Sequence, residues 1–373
     1  MLGAVQLGGL AACIVVLVPM GLAGWHLSRN KMLFFSGALF ISLAIAVHLS
    51  PYFPSLPDFF PSTIVSSSSS SSSSSSLVLL DNPESCINLL HKIQWNNRNS
   101  VNLSDLSWKW AQFDQNVLAC DFHKLGRNDI GDLLNGSWVM VAGDSQARLF
   151  ALSFLQMLLV EEEMVGVRND LFKRHSDYQL VVDRIGFKLD FIWAPYAANL
   201  SHLVVELSRN KSSPDVVVMG CGLWDMLHIT NATHYSDSLH MMNRAVMSLL
   251  VPVSPKSQPH LFWLGMPTLI NSMLNTEEKR EKMTDIMQFS YDQGLHGSKL
   301  LRPAGPFVLL DIRSLSESCG VRCTEDGMHY DGAVYQVSVH IMLNVFLYSL
   351  NKNCSNFLWF LNFVTLITDA KHM

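Results

Sequence analysis

The sequence predicts a three-layer α/β/α sandwich built on a parallel sheet and preceded by transmembrane helices. Two observations predict this arrangement. Long uncharged apolar runs fill most of the first 50 residues, and after residue 108 short apolar runs alternate with stretches of helical spacing. Short apolar strands separated by helices are typical of a parallel sheet whose two faces are both covered.

The overall composition narrows the possible classes of protein. Of the 373 residues, 49% are hydrophobic and only 15% are charged, whereas an ordinary soluble domain has about 25% charged residues. The net charge of −5 argues against a protein that binds nucleic acid by neutralising phosphates. Seven cysteines without a Cys-x-x-Cys pair argue against a zinc ribbon, and no metal site is predicted.

The two apolar runs, at residues 3–24 and 32–50, form a predicted membrane region at residues 1–53. About 20 apolar residues span a hydrocarbon core, so each run is long enough, and whether one or both insert stays open. Arg29 and Lys31 separate the runs. The positive-inside rule keeps these two residues cytosolic and places the rest of the chain in a lumen. A cleaved signal peptide and a buried apolar hairpin are the weaker alternatives.

Six acceptor triplets for N-glycosylation agree with a lumenal position of the downstream chain. They all follow the apolar runs, at Asn102, Asn135, Asn199, Asn210, Asn231 and Asn353. Residues 54–84 are rich in proline and serine and contain the unbroken tract Ser66–Ser76. Such a segment buries too little apolar surface to offset its chain entropy, so we predict a flexible stem here.

Residues 85–350 form the predicted α/β domain. Its predicted strands are Ser137–Ala142, Phe187–Trp193, Asp215–Met219, His260–Leu264 and Phe307–Ile312. Its predicted helices are Gln146–Val160, Asp237–Leu250, Glu277–Gly294 and Asp331–Leu350. Residues 351–373 form a mostly apolar tail, whose run of 13 residues at 356–368 is too short to cross a bilayer.

The first predicted strand runs directly into Gly143, Asp144 and Ser145. Parallel sheets of this type carry their chemistry at the carboxyl ends of the strands. A serine on a tight strand-to-helix turn has an exposed hydroxyl, and nearby backbone N–H groups can stabilise an oxyanion. Arg148 falls on the same side of the helix three residues later. Taken alone, Gly-Asp-Ser is also a good helix N-cap sequence, so capping is the alternative role.

Two further blocks follow later predicted strands. Gly222, Trp224 and Asp225 come after the third strand, where glycine allows a ligand close to the backbone and a plain turn is the alternative. Asp326 and His329 lie three residues apart just before the last helix. This spacing lets the carboxylate accept a hydrogen bond from the imidazole, whose other nitrogen then faces a nucleophile. We expect the three blocks to meet at one edge of the sheet.

The order Gly-Asp-Ser, Gly-x-x-Asp, Asp-x-x-His resembles the SGNH (GDSL) hydrolase superfamily. Within it, the chain resembles the PC-esterase branch, which includes the plant trichome-birefringence-like proteins and the sialic-acid O-acetyltransferases. The segments that carry this resemblance are Gly-Asp-Ser-x-x-Arg at 143–148, Phe-Ile-Trp-Ala-Pro at 191–195 and Trp-Leu-Gly-Met-Pro at 263–267. The resemblance covers residues 85–350 and implies an SGNH-like catalytic domain there.

The resemblance also implies roles for individual residues. Ser145 would be the nucleophile, His329 the general base and then acid, and Asp326 the carboxylate that orients the imidazole. The backbone N–H groups of Ser145 and Gly222 would form the oxyanion hole. Arg148 would assist the oxyanion or hold the acetyl donor.

Gly143 and Asp144 belong to the first block of the same site, and Trp224 marks a departure from the superfamily. That position usually holds asparagine, although an indole N–H still donates one hydrogen bond. The separate glycine of the superfamily's second block has no clear counterpart. Gly186 precedes the second predicted strand, which is the wrong end of the sheet.

The resemblance further implies an O-acetyltransferase of the Golgi membrane whose lumenal domain acetylates plant cell-wall polysaccharide, xyloglucan or xylan. Such an enzyme needs an acetyl donor, acetyl-CoA or an acetylated intermediate, and no bound cofactor. The expected partners are the polysaccharide, the membrane and other wall O-acetylation proteins, and not nucleic acid. A polysaccharide acetylesterase and an inactive glycan-binding scaffold are the alternatives, since the same three residues serve attack by water or by a sugar hydroxyl.

In an oxidising lumen six of the cysteines are candidates for disulfide bonds. These are Cys86, Cys120, Cys221, Cys319, Cys323 and Cys354. A Cys319–Cys323 bond would brace the loop that carries Asp326 and His329, and a Cys86–Cys120 bond would secure the start of the domain. Spacing alone does not decide the connectivity.

Overall fold

The structure is a computed structural model that describes residues 86–96, 106–209, 213–250, 258–303 and 305–349. The predicted membrane region at 1–53, the stem at 54–84 and the tail at 351–373 lie outside these residues, as do Asn102, Asn210 and Asn353. Within the described ranges no helix is long and apolar enough to cross a membrane.

The described chain contains eight strands in two sheets. They are β1 (Ile93–Asn96), β2 (Ser107–Trp110), β3 (Trp138–Gly143), β4 (Tyr178–Val182), β5 (Phe187–Trp193), β6 (Val216–Gly220), β7 (His260–Leu264) and β8 (Val308–Leu310). β1 and β2 form an antiparallel pair, and the other six form a central sheet in the order β4-β5-β3-β6-β7-β8. From β5 to β8 all neighbouring strands are parallel.

The edge strand β4 corrects the prediction of a wholly parallel sheet. It pairs antiparallel with β5, with Tyr178 opposite Phe191 and Val182 opposite Phe187. Only residues 183–186 join the two strands, whereas a parallel pair needs a crossover of about a dozen residues or more. The sheet is therefore mostly parallel, and Gly186 lies at the amino end of β5.

Ten helices accompany these strands. They are α1 (Gln115–Ala119), α2 (Arg127–Leu133), α3 (Ser145–Leu158), α4 (Glu161–Leu171), α5 (Ala197–Arg209), α6 (Ala232–Leu249), α7 (Glu277–Lys282), α8 (Asp285–Gly297), α9 (Ile312–Cys319) and α10 (residues 332–349). A short π-helical turn, Asp225–Ile229, follows β6.

Helices cover both faces of the central sheet. Val139 and Val141 of β3 belong to a buried cluster that also contains α3 and α10. Met140 and Ala142, which alternate with them, belong to a second cluster that contains α5, α6 and α8. Successive side chains of a strand point to opposite faces, so the two clusters are two cores separated by the sheet.

Three helices depart from their predicted bounds. The predicted helix at 277–294 is two helices, since the Thr284 side chain accepts the Met287 N–H at 3.2 Å and starts α8. The predicted helix at 146–160 ends at Leu158, and three glutamates begin α4, where the helix dipole favours negative charge. The predicted helix at 237–250 begins earlier, because Asn231 caps α6.

Two disulfide bonds lie in the described chain. Cys86 is joined to Cys120, 34 residues away, and closing a loop of this length stabilises a fold by about 4 kcal/mol in the chain-entropy model. Cys319 is joined to Cys323 and ties the end of α9 to the loop that follows. Cys221 is a buried free thiol.

Three of the predicted glycosylation sites lie in the described chain, and all three asparagines are exposed. Asn231 accepts the His234 N–H at 3.1 Å, and Asn199 accepts the Tyr196 N–H at 3.3 Å. The Asn135 side chain makes no hydrogen bond with the described residues. Asn135 is thus the site whose modification disturbs no contact of the described fold.

Candidate active site

Ser145 lies at the carboxyl end of β3, where the strand turns into α3. The carboxylate of Asp144, which is 1% exposed, accepts the Gln146 N–H at 2.9 Å and caps the helix. Ser145 is the first helical residue, so its own N–H has no partner within the helix. A Cβ on Gly143 would lie 2.1 Å from the Gly220 carbonyl oxygen, so only glycine fits at this crossing of the two strand ends.

A chain of two hydrogen bonds connects Ser145 to Asp326. The Ser145 Oγ lies 2.8 Å from His329 Nε2, and His329 Nδ1 lies 2.6 Å from Asp326 Oδ2. An ionised carboxylate only accepts hydrogen bonds. The Nδ1 nitrogen therefore carries the proton, and Nε2 is free to accept the Ser145 hydroxyl.

The second oxygen of Asp326 holds the carboxylate in place. Its Oδ1 accepts the backbone N–H groups of Met328 at 2.9 Å and His329 at 2.7 Å. Burial tends to raise the pKa of Asp326, but the hydrogen bonds from the His329 backbone and ring outweigh it and lower the pKa. Asp326 therefore stays ionised at neutral pH and stabilises a proton on the imidazole.

Gln146 connects the two halves of the site, and the sequence analysis missed it. Its Nε2 donates to the Met328 carbonyl oxygen at 3.1 Å, and its Oε1 accepts the Tyr335 hydroxyl of α10. The residue next to the serine thus ties α3 to the loop of Asp326 and His329. A glutamine in a helix is usually exposed, so the residue type does not indicate such a role. Only its position next to Ser145 pointed to a place in the site.

Gly222 lies beside the Ser145 turn, because it follows β6 and β6 is the neighbour of β3. Its φ is +137°, and a Cβ would lie 2.5 Å from the Met266 sulfur. The Gly222 N–H donates to none of the described residues. Together with the N–H of Ser145 at the start of α3, it is available to a ligand.

Asp144 and Asp225 are buried carboxylates behind this turn. Burial raises the pKa of Asp144 to about 7, and the negative charge of Asp225 adds to the rise. Burial also raises the pKa of Asp225 to about 6, while its Oδ2 accepts the Ala197 N–H at 3.1 Å. Asp144 caps α3 through Oδ1, its Oδ2 is buried without a partner among the described residues, and its role at the site stays a prediction.

Arg148 and Trp224 lie among aromatic side chains. The Arg148 guanidinium lies 4.6 Å from the centroid of the Trp193 ring, and its Nε and Nη2 have no hydrogen-bond partner among the described residues. Burial lowers the pKa of Arg148. Trp224 packs edge-to-face with Trp193 at 5.5 Å. Neither side chain hydrogen-bonds to Ser145 or His329.

A cleft of about 330 Å³ lies beside the imidazole. It is lined by His329, Asp326 and residues 322–325, 330 and 331. The Cys319–Cys323 bond and the Thr324 hydroxyl, which donates to the His329 carbonyl oxygen at 2.7 Å, hold this wall. Among the described residues no group of three or more His, Cys, Asp or Glu side chains is placed to hold a metal ion.

Comparison with known proteins places the chain in a family. No family model matches it. The Arabidopsis thaliana protein Altered Xyloglucan 9 is 52% identical over 374 residues, which cover 93% of this chain and 98% of the relative.

Two solved structures resemble the chain at low similarity. A carbohydrate acetylesterase family member from Sinorhizobium meliloti is 12% identical with a TM-score of 0.34, over 56% of this chain and 96% of that chain. A catalytic mutant of an acetylxylan esterase from Geobacillus stearothermophilus is 13% identical with a TM-score of 0.33, over 60% of this chain and 96% of that chain.

The family itself follows from the relative that aligns along nearly the whole length of both chains. An identity of 52% over nearly the whole of both chains is sufficient to establish the family. The chain belongs to the family of the Arabidopsis protein Altered Xyloglucan 9.

Proposed function

We propose that this protein is an O-acetyltransferase that transfers an acetyl group to a hydroxyl of xyloglucan through an acyl-enzyme on Ser145. The hydrogen-bond chain from Ser145 through His329 to Asp326 carries this proposal. Membership in the family of Altered Xyloglucan 9 supports a polysaccharide as the substrate.

In the first half-reaction the Ser145 Oγ attacks the carbonyl carbon of the acetyl donor. The hydroxyl proton moves to His329 Nε2, and the negative charge of Asp326 stabilises the imidazolium that forms. The N–H groups of Ser145 and Gly222 stabilise the oxyanion of the tetrahedral intermediate. When the intermediate collapses, the bond to the donor breaks, the leaving group takes the proton from Nε2, and Ser145 keeps the acetyl ester.

In the second half-reaction a sugar hydroxyl takes the place of the leaving group. Its oxygen attacks the acetyl carbon while its proton moves to His329 Nε2. The ester bond to Ser145 breaks, and the serine oxygen recovers the proton from the imidazole. Water in place of the sugar would complete an esterase cycle with the same residues, so the identity of the acceptor decides between transfer and hydrolysis.

The proposed setting is the Golgi lumen, with the chain anchored by the apolar region at 1–53 and the domain reached through the stem at 54–84. The six acceptor triplets downstream of the apolar runs support this setting. The donor is proposed to be acetyl-CoA or an acetylated intermediate, which other wall O-acetylation proteins would supply.

The experiment uses the full chain in detergent with p-nitrophenyl acetate as an activated acetyl donor and a xyloglucan oligosaccharide as the acceptor. We expect release of p-nitrophenol, an acetyl group on Ser145 detected by mass spectrometry, and acetylated oligosaccharide. Ser145→Ala should lower p-nitrophenol release at least about 10³-fold, since the attacking oxygen is lost.

Ser290→Ala is the matched control, because its hydroxyl only donates to the Ile286 carbonyl of its own helix and its loss should leave the rate unchanged. Unchanged acetyl transfer by Ser145→Ala would overturn the proposal. Release of free acetate at the same rate with and without the oligosaccharide would identify an esterase instead.

A further inference from the structure

Five aromatic side chains form a cluster at the carboxyl edge of the sheet. This aromatic cluster consists of His175, Trp193, Tyr196, Trp224 and His228. They come from three segments: the connection before β4, the end of β5 with the residues after it, and the turn after β6. Trp193 and His175 stack with centroids 5.0 Å apart, and the Trp224 ring lies within 6.0 Å of the other four centroids.

The strand register places the aromatic cluster beside the proposed nucleophile. Trp193 is the partner of Gly143 across the β5–β3 pair, where neighbouring strands lie about 5 Å apart, and Ser145 follows Gly143 by two residues. Trp224 follows Gly222 by two residues in the turn after β6, the other neighbour of β3. A ligand that covers the cluster therefore extends directly to the position of the acyl group.

The polar atoms of the five rings form no hydrogen bond with the residues that the structure describes. Each of the five rings carries an N–H, an imidazole nitrogen or a hydroxyl, and none of these makes a hydrogen bond with the described residues. Three of the rings, those of Trp193, Tyr196 and Trp224, are half-buried.

Of the five other tryptophans in the described chain, three donate a hydrogen bond within the fold, whereas Trp108 donates to no described residue and Trp263 Nε1 is buried without a partner. Trp95 donates to the Ser318 hydroxyl at 2.9 Å, Trp110 to the Leu90 carbonyl at 3.1 Å, and Trp138 to Asp190 at 2.7 Å. Half-buried indoles usually find such partners within the fold. The hydrogen-bond donors and acceptors of the cluster are therefore available to a ligand.

Arg148 supplies an independent observation at the same place. Its side chain is 8% exposed, its guanidinium lies on the Trp193 ring, and its Nε and Nη2 are buried without a partner. A buried guanidinium without a carboxylate partner is rare in a finished fold. It forms the floor of the cluster one helical turn from Ser145.

We infer that the aromatic cluster binds the acceptor glycan through the Trp224 ring and the Tyr196 hydroxyl. This inference rests on the proposed function, which supplies the acceptor. A pyranose ring has an apolar C–H face and a rim of hydroxyls. The aromatic rings bury the C–H face. The ring nitrogens and the Tyr196 hydroxyl hydrogen-bond to the sugar hydroxyls, as in other binding sites where apolar walls carry a few placed polar groups.

The test measures glycan binding apart from catalysis. Full-length protein with Ser145→Ala is titrated with a xyloglucan oligosaccharide by calorimetry, and the same titration is repeated with Trp224→Ala or Tyr196→Ala added. We expect Trp224→Ala to weaken binding about tenfold or more and Tyr196→Ala by less, since the Trp224 ring contacts the other four. In the active enzyme Trp224→Ala should raise the KM for the oligosaccharide more than it lowers kcat.

Phe289→Ala is the matched control, because Phe289 is 59% exposed on α8 and lies outside the cluster. It should bind the oligosaccharide as Ser145→Ala does, and thermal unfolding should show that every variant is folded. Equal affinity of the folded Trp224→Ala protein and its parent would overturn the inference. If the enzyme with Ser145 intact transfers no acetyl group while binding still depends on Trp224, only the proposed function fails.

Discussion

Replacement of Asp326 by asparagine tests the hydrogen-bond chain most directly. The carboxylate accepts two backbone N–H groups on Oδ1 and the imidazole on Oδ2. An amide has one acceptor oxygen and one NH₂ group, so it cannot satisfy both sides. A hydrogen bond between neutral groups contributes about 0.5–1.5 kcal/mol, so the amide orientation that keeps the two backbone bonds is favoured over the one that keeps the single bond to the imidazole.

In that orientation the amide NH₂ faces His329 Nδ1 and donates to it. The imidazole must then carry its proton on Nε2, where it can no longer accept the Ser145 hydroxyl. The wrong tautomer in such a triad costs about 10⁴-fold in kcat, which corresponds to about 5.5 kcal/mol at 1.36 kcal/mol per factor of ten.

The assay is p-nitrophenol release from p-nitrophenyl acetate by Asp326→Asn. Asp132→Asn makes the same chemical change at an exposed carboxylate on α2 and should leave kcat unchanged. A kcat within tenfold of the wild type in folded Asp326→Asn would refute the reasoning, because the imidazole would then be oriented by something other than this carboxylate.

Two further predictions concern the oxyanion turn and acid stability. Gly222→Ala should lower kcat about 10²–10³-fold. An alanine is strained at a φ of +137° and its Cβ would clash with the Met266 sulfur, so the backbone shifts and displaces a proposed oxyanion donor. Gly166→Ala is the kinetic control, because a Cβ at that position meets nothing within 4 Å. Burial lowers the pKa of His340 to about 4, whereas an unfolded histidine titrates near 6.5. As the pH falls from 6.5 to 4, the unfolded state binds a proton that the folded state does not. The free energy of unfolding therefore falls by about 3 kcal/mol. Guanidinium unfolding followed by tryptophan fluorescence at pH 7 and pH 4.5 should show a smaller loss in His340→Phe than in the wild type; equal losses would contradict the assignment.

The fold could be predicted wherever a strand is buried on both faces. β5 and β7 have the predicted bounds, because apolar residues fill most positions of both strands. The edge strand β4, in contrast, has alternating half-buried and exposed residues. Its signal lies in the four-residue connection to β5, which is a property of the pair and not of either segment.

The hydrogen-bonded set of Ser145, His329 and Asp326 could be predicted, because the spacing of these residues in the sequence reflects one local geometry each. A serine at a strand-to-helix turn and an Asp-x-x-His loop are short-range features. The roles of Gln146 and Arg148 depend on what lies opposite them. Gln146 meets Met328, 182 residues away, and Arg148 meets Trp193 from another strand. No local pattern encodes such a contact.

Trp224 stands at a position where the sequence resemblance leads one to expect asparagine. An asparagine at this position would place a side-chain donor near the oxyanion, and removal of one such donor costs about 10²–10³ in kcat elsewhere. Here the position holds an indole that packs into the aromatic cluster, so the backbone N–H groups of Ser145 and Gly222 are the donors left beside the turn. If the cluster binds the glycan, the Trp224 side chain serves to hold the acceptor. Trp224→Asn then separates the two uses: it should weaken glycan binding whether or not it raises the rate with p-nitrophenyl acetate, and an unchanged glycan affinity would return Trp224 to a purely structural role.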